Sequence, residues 1–178
     1  MRDAIEPTLA ELKRRGIDYR GTLFAGLMLT PSGPKMLEYN IRFGDPETQV
    51  VLPRIESDLV ELLSQAAAGD ITSTPTFSTD SFATVVCASE GYPASARTGD
   101  AIDGIEAARE LDGVSVYAAG VKKNEQGELI TGGGRVLNVI GRGASMDEAI
   151  RRAYAGVSEI SWPGMQFRTD IAKQARES

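Results

Sequence analysis

The sequence predicts an α+β protein, and three observations along the chain support this prediction. Residues 2–15 place apolar side chains at helical spacing among charged ones. Residues 22–43 contain two runs of strand-forming residues around a short polar turn, which is the pattern of an antiparallel hairpin. From residue 82 onward, short strand-like runs alternate with turns, as in a small antiparallel sheet or barrel. With 42% hydrophobic residues, the 178-residue chain can bury a core.

The first part of the chain is expected to form a helix, a hairpin and a second helix. Ser57 is positioned to cap the second helix, with Asp58 near its positive end, and Gly69 closes it. The expected elements are the helix 2–15, the strands 22–30 and 35–43 around the turn 31–34, and the helix 57–68.

A segment rich in Thr, Ser and Pro, residues 72–81, is interpreted as a linker to a second set of elements. The strands expected beyond it are 82–89, 114–121, 128–131 and 135–140. A final helix begins at Ser145, which forms a capping box with Glu148. Its expected apolar face is Ala149, Ile150, Ala153, Tyr154 and Val157.

Composition excludes several classes of function. The formal charge of -6 argues against general nucleic-acid binding, and the absence of histidine excludes a His-based triad and His-ligated metals. Cys87 lies in an apolar run, so it is expected to be a buried core residue without an internal disulfide partner. No stretch approaches the roughly 20 apolar residues that span a bilayer, which favours a cytoplasmic protein without a membrane partner.

The most informative segment is the predicted strand before residue 44, because its polar residues recur at every second position. Alternation places Glu38, Asn40 and Arg42 on one face, and Leu37, Tyr39 and Ile41 on an opposite face that is expected to be dry. A carboxylate and an amide oxygen on one face suit Mg²⁺, which prefers oxygen ligands and keeps waters and substrate phosphates in its shell. The alternative is an edge strand with a solvated outer face.

The twelve residues 38–49, Glu-Tyr-Asn-Ile-Arg-Phe-Gly-Asp-Pro-Glu-Thr-Gln, resemble the signature of the phosphoribosylamine-glycine ligases, ATP-grasp enzymes of purine biosynthesis. The resemblance extends to the whole chain through the segments 24–28, 57–62, 132–137 and 167–171. It departs from the family at Tyr117-Ala118-Ala119-Gly120-Val121, where the family tends to have a Phe-His-Ala-Gly-Thr-like strand.

The resemblance implies roles for the residues of this segment. Glu38 and Asn40 would hold Mg²⁺, or Mn²⁺, against the phosphates of ATP. Arg42 would bind a substrate anion or stabilise transition-state charge, and its alternative role is an ion pair with Asp45 or Glu47.

Three further residues have candidate roles that the resemblance implies, and Asp45 and Leu37 each have an alternative. Asp45 and Glu47 would orient an amine substrate, or Asp45 would simply cap the following helix. Leu37 is expected in the core, although a residue at this place in ATP-grasp folds also touches adenine, which makes it the candidate for cofactor binding.

Two features near the end of the chain are less specific. The run Gly132-Gly133-Gly134-Arg135 is either a nest of backbone amides for an anion or a plain hairpin turn. Arg168 and Asp170 resemble a structural pair of the family, and residues 162–164 are interpreted as a packed turn.

By resemblance, residues 1–71 are expected to form the C-terminal part of an ATP-grasp domain, and residues 82–178 a small barrel-like or sandwich-like C-terminal domain. The implied substrates are ATP, glycine and 5-phosphoribosylamine. The N-terminal domains of such an enzyme are expected in cis or from another chain. The 178 residues alone are expected to be inactive and to bind ATP weakly or not at all. The alternatives are another ATP-grasp carboxylate-amine ligase, or a noncatalytic interaction module.

Overall fold

The structure is a computed structural model that describes residues 3–173. Its elements are α1 (Ile5–Arg14), β1 (Phe24–Thr30), β2 (Gly33–Asn40), α2 (Thr48–Val51), a 3-10 turn (Leu52–Arg54), α3 (Leu59–Ala68), β3 (Ser81–Ala88), α4 (Ile105–Glu110), β4 (Val114–Ala118), β5 (Val121–Lys123), β6 (Leu129–Thr131), β7 (Arg135–Gly143) and α5 (Met146–Glu159). Helices mixed with antiparallel strands confirm the α+β prediction. No helix in the described range is both long and apolar enough to cross a membrane.

The described residues divide into two compact units. The first unit comprises residues 3–48 and 55–77, and the second comprises residues 49–54 and 78–173. The chain therefore passes between the units after residues 48, 54 and 77. The predicted domain boundaries, 1–71 and 82–178 around a linker at 72–81, stay a prediction.

The first unit contains the expected antiparallel hairpin. β1 pairs with β2 from Phe24 opposite Asn40 to Thr30 opposite Gly33. The strand β2 ends at Asn40, three residues before the predicted end at Phe43. Because residues 41 and 42 form a bend, the alternation of faces cannot be extended to them.

A bulge interrupts the hairpin at Leu37. Gly26 lies opposite Glu38 and Leu27 lies opposite Met36, which leaves Leu37 as the extra residue of β2. A bulge of this kind bends its strand and disturbs the regular alternation of side chains. Sequence alternation alone did not indicate it.

The first unit holds α1 against the hairpin through polar contacts of Tyr39. The Tyr39 hydroxyl donates to the Ala4 carbonyl oxygen at 2.6 Å, and the Thr8 hydroxyl donates to the Tyr39 oxygen at 2.7 Å. The apolar spacing of the helix is as predicted, yet none of its residues is fully buried.

The cap of α3 differs from the prediction by one residue. Asp58, not Ser57, is the N-cap, and its carboxylate accepts from the Glu61 amide at 3.0 Å. The Ser57 hydroxyl instead accepts from the Thr76 amide at 3.3 Å. Gly69 ends the helix in the left-handed conformation with φ +77°, as expected.

The second unit is built on a three-stranded antiparallel sheet in the order β3-β7-β4, with a separate pair β5-β6. The helices α4 and α5 pack on one face of this sheet. The buried core between them includes Val85, Cys87, Leu137, Val139, Ala153 and Val157. Among the described residues the strands do not close, so the expected barrel-like or sandwich-like domain is instead a sheet with helices on one face.

Two details of the second unit were not predicted. The run 114–121 is not one strand, because it turns at residues 119 and 120 before β5 begins at Val121. The helix α4 has only six residues and begins at Ile105, after an N-cap glycine, Gly104, that offers no side-chain cap, so it carries little sequence signal.

The C-terminal elements follow the prediction closely. The Ser145 hydroxyl caps α5 by accepting from the Glu148 amide at 3.2 Å, while the Glu148 carboxylate accepts from the Ala144 amide at 2.9 Å. The predicted apolar face of α5 is confirmed, with Tyr154 partly buried and the other four residues fully buried.

Cys87 and Trp162 are buried, as predicted from the sequence. Cys87 is 0% exposed, and burial raises the pKa of its thiol to about 12. Trp162 packs into the core of the second unit, and its carbonyl oxygen accepts from the Met165 amide in a turn.

Candidate metal and nucleotide site

The side chains of Glu38 and Asn40 meet on one face of β2. The Asn40 amide nitrogen, Nδ2, donates to Glu38 Oε1 at 2.8 Å. This contact confirms that the two residues share a face, as the i, i+2 spacing predicts. The predicted carboxylate and amide are thus the two polar groups presented together at the end of the hairpin.

The register of the hairpin places Phe24 and Gly26 next to this pair. Gly26 lies opposite Glu38, and a Cβ atom there would be 3.1 Å from Glu38 Cγ. Glycine therefore leaves room for the Glu38 side chain to lie across the neighbouring strand. Phe24 lies opposite Asn40, two residues from Gly26 on the same face of β1.

An open cavity of about 700 Å³ adjoins this face of the first unit. Its wall combines the two carboxylates of Glu38 and Glu47 with apolar side chains. The lining residues are Phe24, Ala25, Gly26, Leu27, Leu29, Leu37, Glu38 and Glu47. The cavity therefore has one acidic part and one apolar part, which suits a ligand with a cationic or metal-bound end and an apolar end.

The loop after β2 folds back and brings Glu47 to the cavity. The Gly44 carbonyl oxygen accepts from both the Thr48 amide, at 3.0 Å, and the Thr48 hydroxyl. Gly44 is buried, and a Cβ atom there would be 3.0 Å from Glu47 Cδ and 3.0 Å from Phe24 Cε2. Gly44 has no positive φ, so the lack of space around it, rather than its backbone angle, is what requires glycine.

Two expectations about the faces of β2 are wrong. Leu37 is 63% exposed at the bulge, so it does not lie in a core, and Ile41 is 79% exposed. The described residues of the first unit leave both side chains exposed, although the α1 segment contacts Tyr39 of the same strand. Leu37 nevertheless lines the cavity beside Glu38, which keeps its predicted contact with a cofactor open to test.

Arg42 is exposed and lies beyond the end of β2. Its Nη1 donates to the Phe43 carbonyl oxygen at 2.8 Å. The strand ends before Arg42, so alternation does not decide which face its side chain shares, and its placement with Glu38 and Asn40 stays a prediction. The helix α2 begins at Thr48, and an N-cap is the residue directly before the helix. Asp45 lies further from the helix than that, which disfavours the capping alternative.

The residues present fit a hard divalent cation. Glu38 offers carboxylate oxygens and Asn40 an amide oxygen, and these are the ligands that Mg²⁺ accepts. Within residues 3–173, no three His, Cys, Asp or Glu side chains lie close enough to bind a metal by themselves. Two protein ligands are sufficient for a cation that completes its shell with water and phosphate. The Asn40 amide would turn over to present its oxygen instead of its nitrogen.

The glycine run near the end of the chain forms a close-packed turn. None of Gly132, Gly133 and Gly134 has a positive φ, whereas a nest of amides commonly alternates right- and left-handed residues. The Gly132 amide donates to the Gly120 carbonyl oxygen at 2.7 Å. A Cβ atom on Gly120 would lie 2.9 Å from Gly133 Cα. This close approach of two backbones favours the turn interpretation.

Arg168 and Asp170 form the predicted pair. Arg168 Nε and Nη2 donate to the two carboxylate oxygens of Asp170 at 2.8 and 2.7 Å. The guanidinium lowers the pKa of the Asp170 carboxyl group through these hydrogen bonds. Both side chains are exposed, so the pair contributes little to stability.

Comparison with known families identifies both parts of the chain. Residues 82–174 match the model of the phosphoribosylglycinamide synthetase C domain, and residues 1–48 match the ATP-grasp (A) domain of the same synthetase. The chain belongs to the phosphoribosylglycinamide synthetase family. The candidate site, from Phe24 to Glu47, lies within the ATP-grasp match.

Individual relatives agree with the family models. The chain is 46% identical over 176 residues to a phosphoribosylamine-glycine ligase of Mesorhizobium japonicum, covering 98% of this chain and 41% of that protein. A crystal structure of the Thermotoga maritima ligase is 33% identical with a TM-score of 0.77, over 92% of this chain and 40% of that one. The chain thus spans about two fifths of the length of these relatives.

A more distant structure shares the fold. The biotin carboxylase domain of a Hydrogenobacter thermophilus carboxylase, solved with MgADP and bicarbonate, has a TM-score of 0.57 at 17% identity. The match covers 90% of this chain and 36% of that one.

Proposed function

We propose that this chain supplies the divalent-metal face of an ATP-dependent ligase that joins glycine to 5-phosphoribosylamine. The observation that supports the proposal most strongly is the 2.8 Å contact between Asn40 Nδ2 and Glu38 Oε1 at the cavity of the first unit. It places two oxygen-bearing side chains together within the part of the chain that matches an ATP-grasp domain.

Glu38 and Asn40 are the proposed ligands of Mg²⁺ or Mn²⁺. When bound, the ion neutralises charge on the phosphates of ATP during phosphoryl transfer. Gly26 supports this role by leaving space for Glu38, and the bulge at Leu37 orients the ligand strand. The MgADP present in the biotin carboxylase structure supports a nucleotide at this fold.

The other predicted residues receive roles consistent with their positions. Glu47, at the cavity wall, and Asp45, in the same loop, orient the amine substrate. Leu37 contacts the nucleotide from the apolar part of the cavity. Arg42 is exposed, and its guanidinium binds a substrate anion or stabilises transition-state charge.

The proposed reaction has two steps. The glycine carboxylate attacks the γ-phosphorus of ATP and displaces ADP, which gives glycyl phosphate. The amine of 5-phosphoribosylamine then attacks the glycyl carbonyl, loses a proton and expels phosphate, which gives the amide. The chain's carboxylates at the cavity bind and orient these groups, since positioning and electrostatic stabilisation provide most of the catalysis in phosphoryl transfer.

The proposed partner is the remaining part of such a ligase, in cis or on another chain, and the proposed location is the cytoplasm. The relatives are more than twice as long as this chain. Leu29, Ile41 and Val60 are large exposed apolar side chains of the first unit, and burying them would be favourable. The proposed division is an ATP-grasp part at 1–71, a linker at 72–81 and a C-terminal domain at 82–178.

A chimera tests the proposal. This chain replaces the matching segment of the Mesorhizobium japonicum ligase, and ADP release is measured with glycine and 5-phosphoribosylamine. Glu38→Gln is expected to lower turnover by about a hundredfold or more, because a metal ligand is lost. Glu128→Gln is the matched control, because Glu128 also accepts from an asparagine, Asn124, but lies in the second unit.

Three results would redirect the proposal. Equal turnover of the Glu38→Gln and Glu128→Gln chimeras would contradict the metal role. ADP release driven by a different amine would indicate another carboxylate-amine ligase. A noncatalytic interaction module would be indicated by a chimera that folds but is inactive, and whose metal binding does not change when Glu38 is substituted.

A further inference from the structure

Phe24 lies between the face of the hairpin that carries Glu38 and Asn40 and the loop that follows β2. It lies opposite Asn40 in the register and shares a face of β1 with Gly26. Its side chain is half-buried and forms part of the cavity wall.

The two edges of the Phe24 ring approach two different glycines. Cε1 lies 3.8 Å from the Cβ position of Gly26, and Cε2 lies 3.0 Å from the Cβ position of Gly44. Each of these glycines also lies under a carboxylate side chain. The Cβ position of Gly26 is 3.1 Å from Glu38 Cγ, and that of Gly44 is 3.0 Å from Glu47 Cδ.

We propose that Phe24 is a positioning residue that holds Glu38 and Glu47 on either side of its ring, so that both carboxylates face one cavity. The inference rests on the proposed metal role of Glu38. It goes further by assigning the spacing of the two acids to one apolar side chain that contacts no reacting group.

The chemistry of the three side chains supports this role. Two carboxylates in one cavity repel each other and are flexible, since each has several rotatable bonds. A phenyl ring has only two side-chain torsions, so it fixes the separation at low entropic cost. Packing against a rigid group also limits the orientations of Glu38, as groups behind metal ligands commonly do. Glu47 is thereby held away from Glu38 and stays available to the amine.

The experiment uses the full chain and has one arm without metal. In the NMR spectrum of the wild type, the ring ε protons of Phe24 are expected to show nuclear Overhauser effects to the α protons of both Gly26 and Gly44. Absence of either effect in a folded chain would overturn the inference.

The second arm measures Mn²⁺ dissociation constants by electron paramagnetic resonance. Phe24→Ala is expected to weaken Mn²⁺ binding by about tenfold, the lower range for a lost supporting residue. Phe24→Tyr keeps the ring and is expected to retain wild-type affinity. Phe77→Ala is the matched control, because Phe77 is a half-exposed phenylalanine of the same unit that does not line the cavity.

The outcomes separate this inference from the proposed function. Wild-type affinity, or tighter binding, in Phe24→Ala overturns the positioning role while leaving Glu38 as a ligand. Loss of binding in Phe24→Ala with rescue in Phe24→Tyr supports it. If Glu38→Gln binds Mn²⁺ as the wild type does, or the wild type binds none, the metal role fails and the positioning role falls with it.

Discussion

Asn138 lies on β7, the central strand of the second unit, with its side chain on the face opposite α5. Gly141, three positions along, faces α5, because a Cβ atom there would collide with the backbone of that helix. Since side chains alternate along a strand, Asn138 points to the other face. Asn138 is 1% exposed, and within the described residues neither atom of its amide group has a hydrogen-bond partner. A buried polar group without a partner lowers stability.

Asn138→Leu is therefore expected to raise the free energy of unfolding by about 1 kcal/mol, because it removes unpaired polar atoms and keeps a similar volume. Urea denaturation measures the change. Asn124→Leu is the control, since Asn124 makes hydrogen bonds within an exposed turn and its loss is expected to lower stability. A marked loss of stability in Asn138→Leu would show that the amide makes a favourable interaction.

Cys87 gives a prediction that depends on pH. Burial raises the pKa of its thiol from 9.0 to about 12, so the folded state favours the neutral thiol. The associated stability is fully present below pH 9 and is lost as the pH rises toward 12. Relative to Cys87→Ala, the wild type is expected to lose stability over this range, measured by urea denaturation at several pH values. A constant difference between the two proteins would contradict the account.

At the scale of elements, the side-chain cap at the start of α5 is expected to stabilise this helix. Ser145→Ala removes the hydrogen bond to the Glu148 amide and is expected to lower stability by about 1 kcal/mol. Ser158→Ala, near the other end of the same helix, is the control and is expected to have a smaller effect, because Ser158 donates to a carbonyl of its own helix. Thermal unfolding measures both, and equal effects would contradict the capping role.

The elements also show what the sequence can predict. The hairpin and the amphipathic face of α5 were predictable, because both depend on local periodicity and turn residues. The early end of β2 and the bulge at Leu37 were not, because cross-strand register depends on the partner strand. That limitation is why alternation was extended to Arg42, beyond the end of the strand, and why Leu37 was placed in a core.

The candidate site divides in the same way. Glu38 and Asn40 were predicted from their i, i+2 spacing. That prediction holds because both residues lie inside β2, where alternate side chains share a face. Phe24, Gly26 and Gly44 were missed, because their role comes from contacts between the hairpin and its loop. An apolar residue two positions before a glycine carries no distinctive signal by itself.

At the scale of the whole molecule, the two units differ in their cores. Every fully buried apolar side chain among the described residues belongs to the second unit, from Ala83 onward. Backbone hydrogen bonds without a buried apolar layer open readily. The amides of β1 and β2 are therefore expected to exchange hydrogen faster than those of β3 and β7 in mass spectrometry. Equal protection of both hairpin and central sheet would contradict this expectation.

The central claim is that the hairpin face binds a divalent cation through Glu38 and Asn40. The most direct measurement is the paramagnetic broadening of asparagine side-chain amide signals in the NMR spectrum of the full chain during a Mn²⁺ titration. Asn124 is a built-in control, since its Nδ2 also donates to a glutamate, Glu128, at 2.7 Å. We predict that the Asn40 signals broaden first and that Glu38→Gln abolishes this preference. Equal broadening of Asn40 and Asn124 would contradict the assignment.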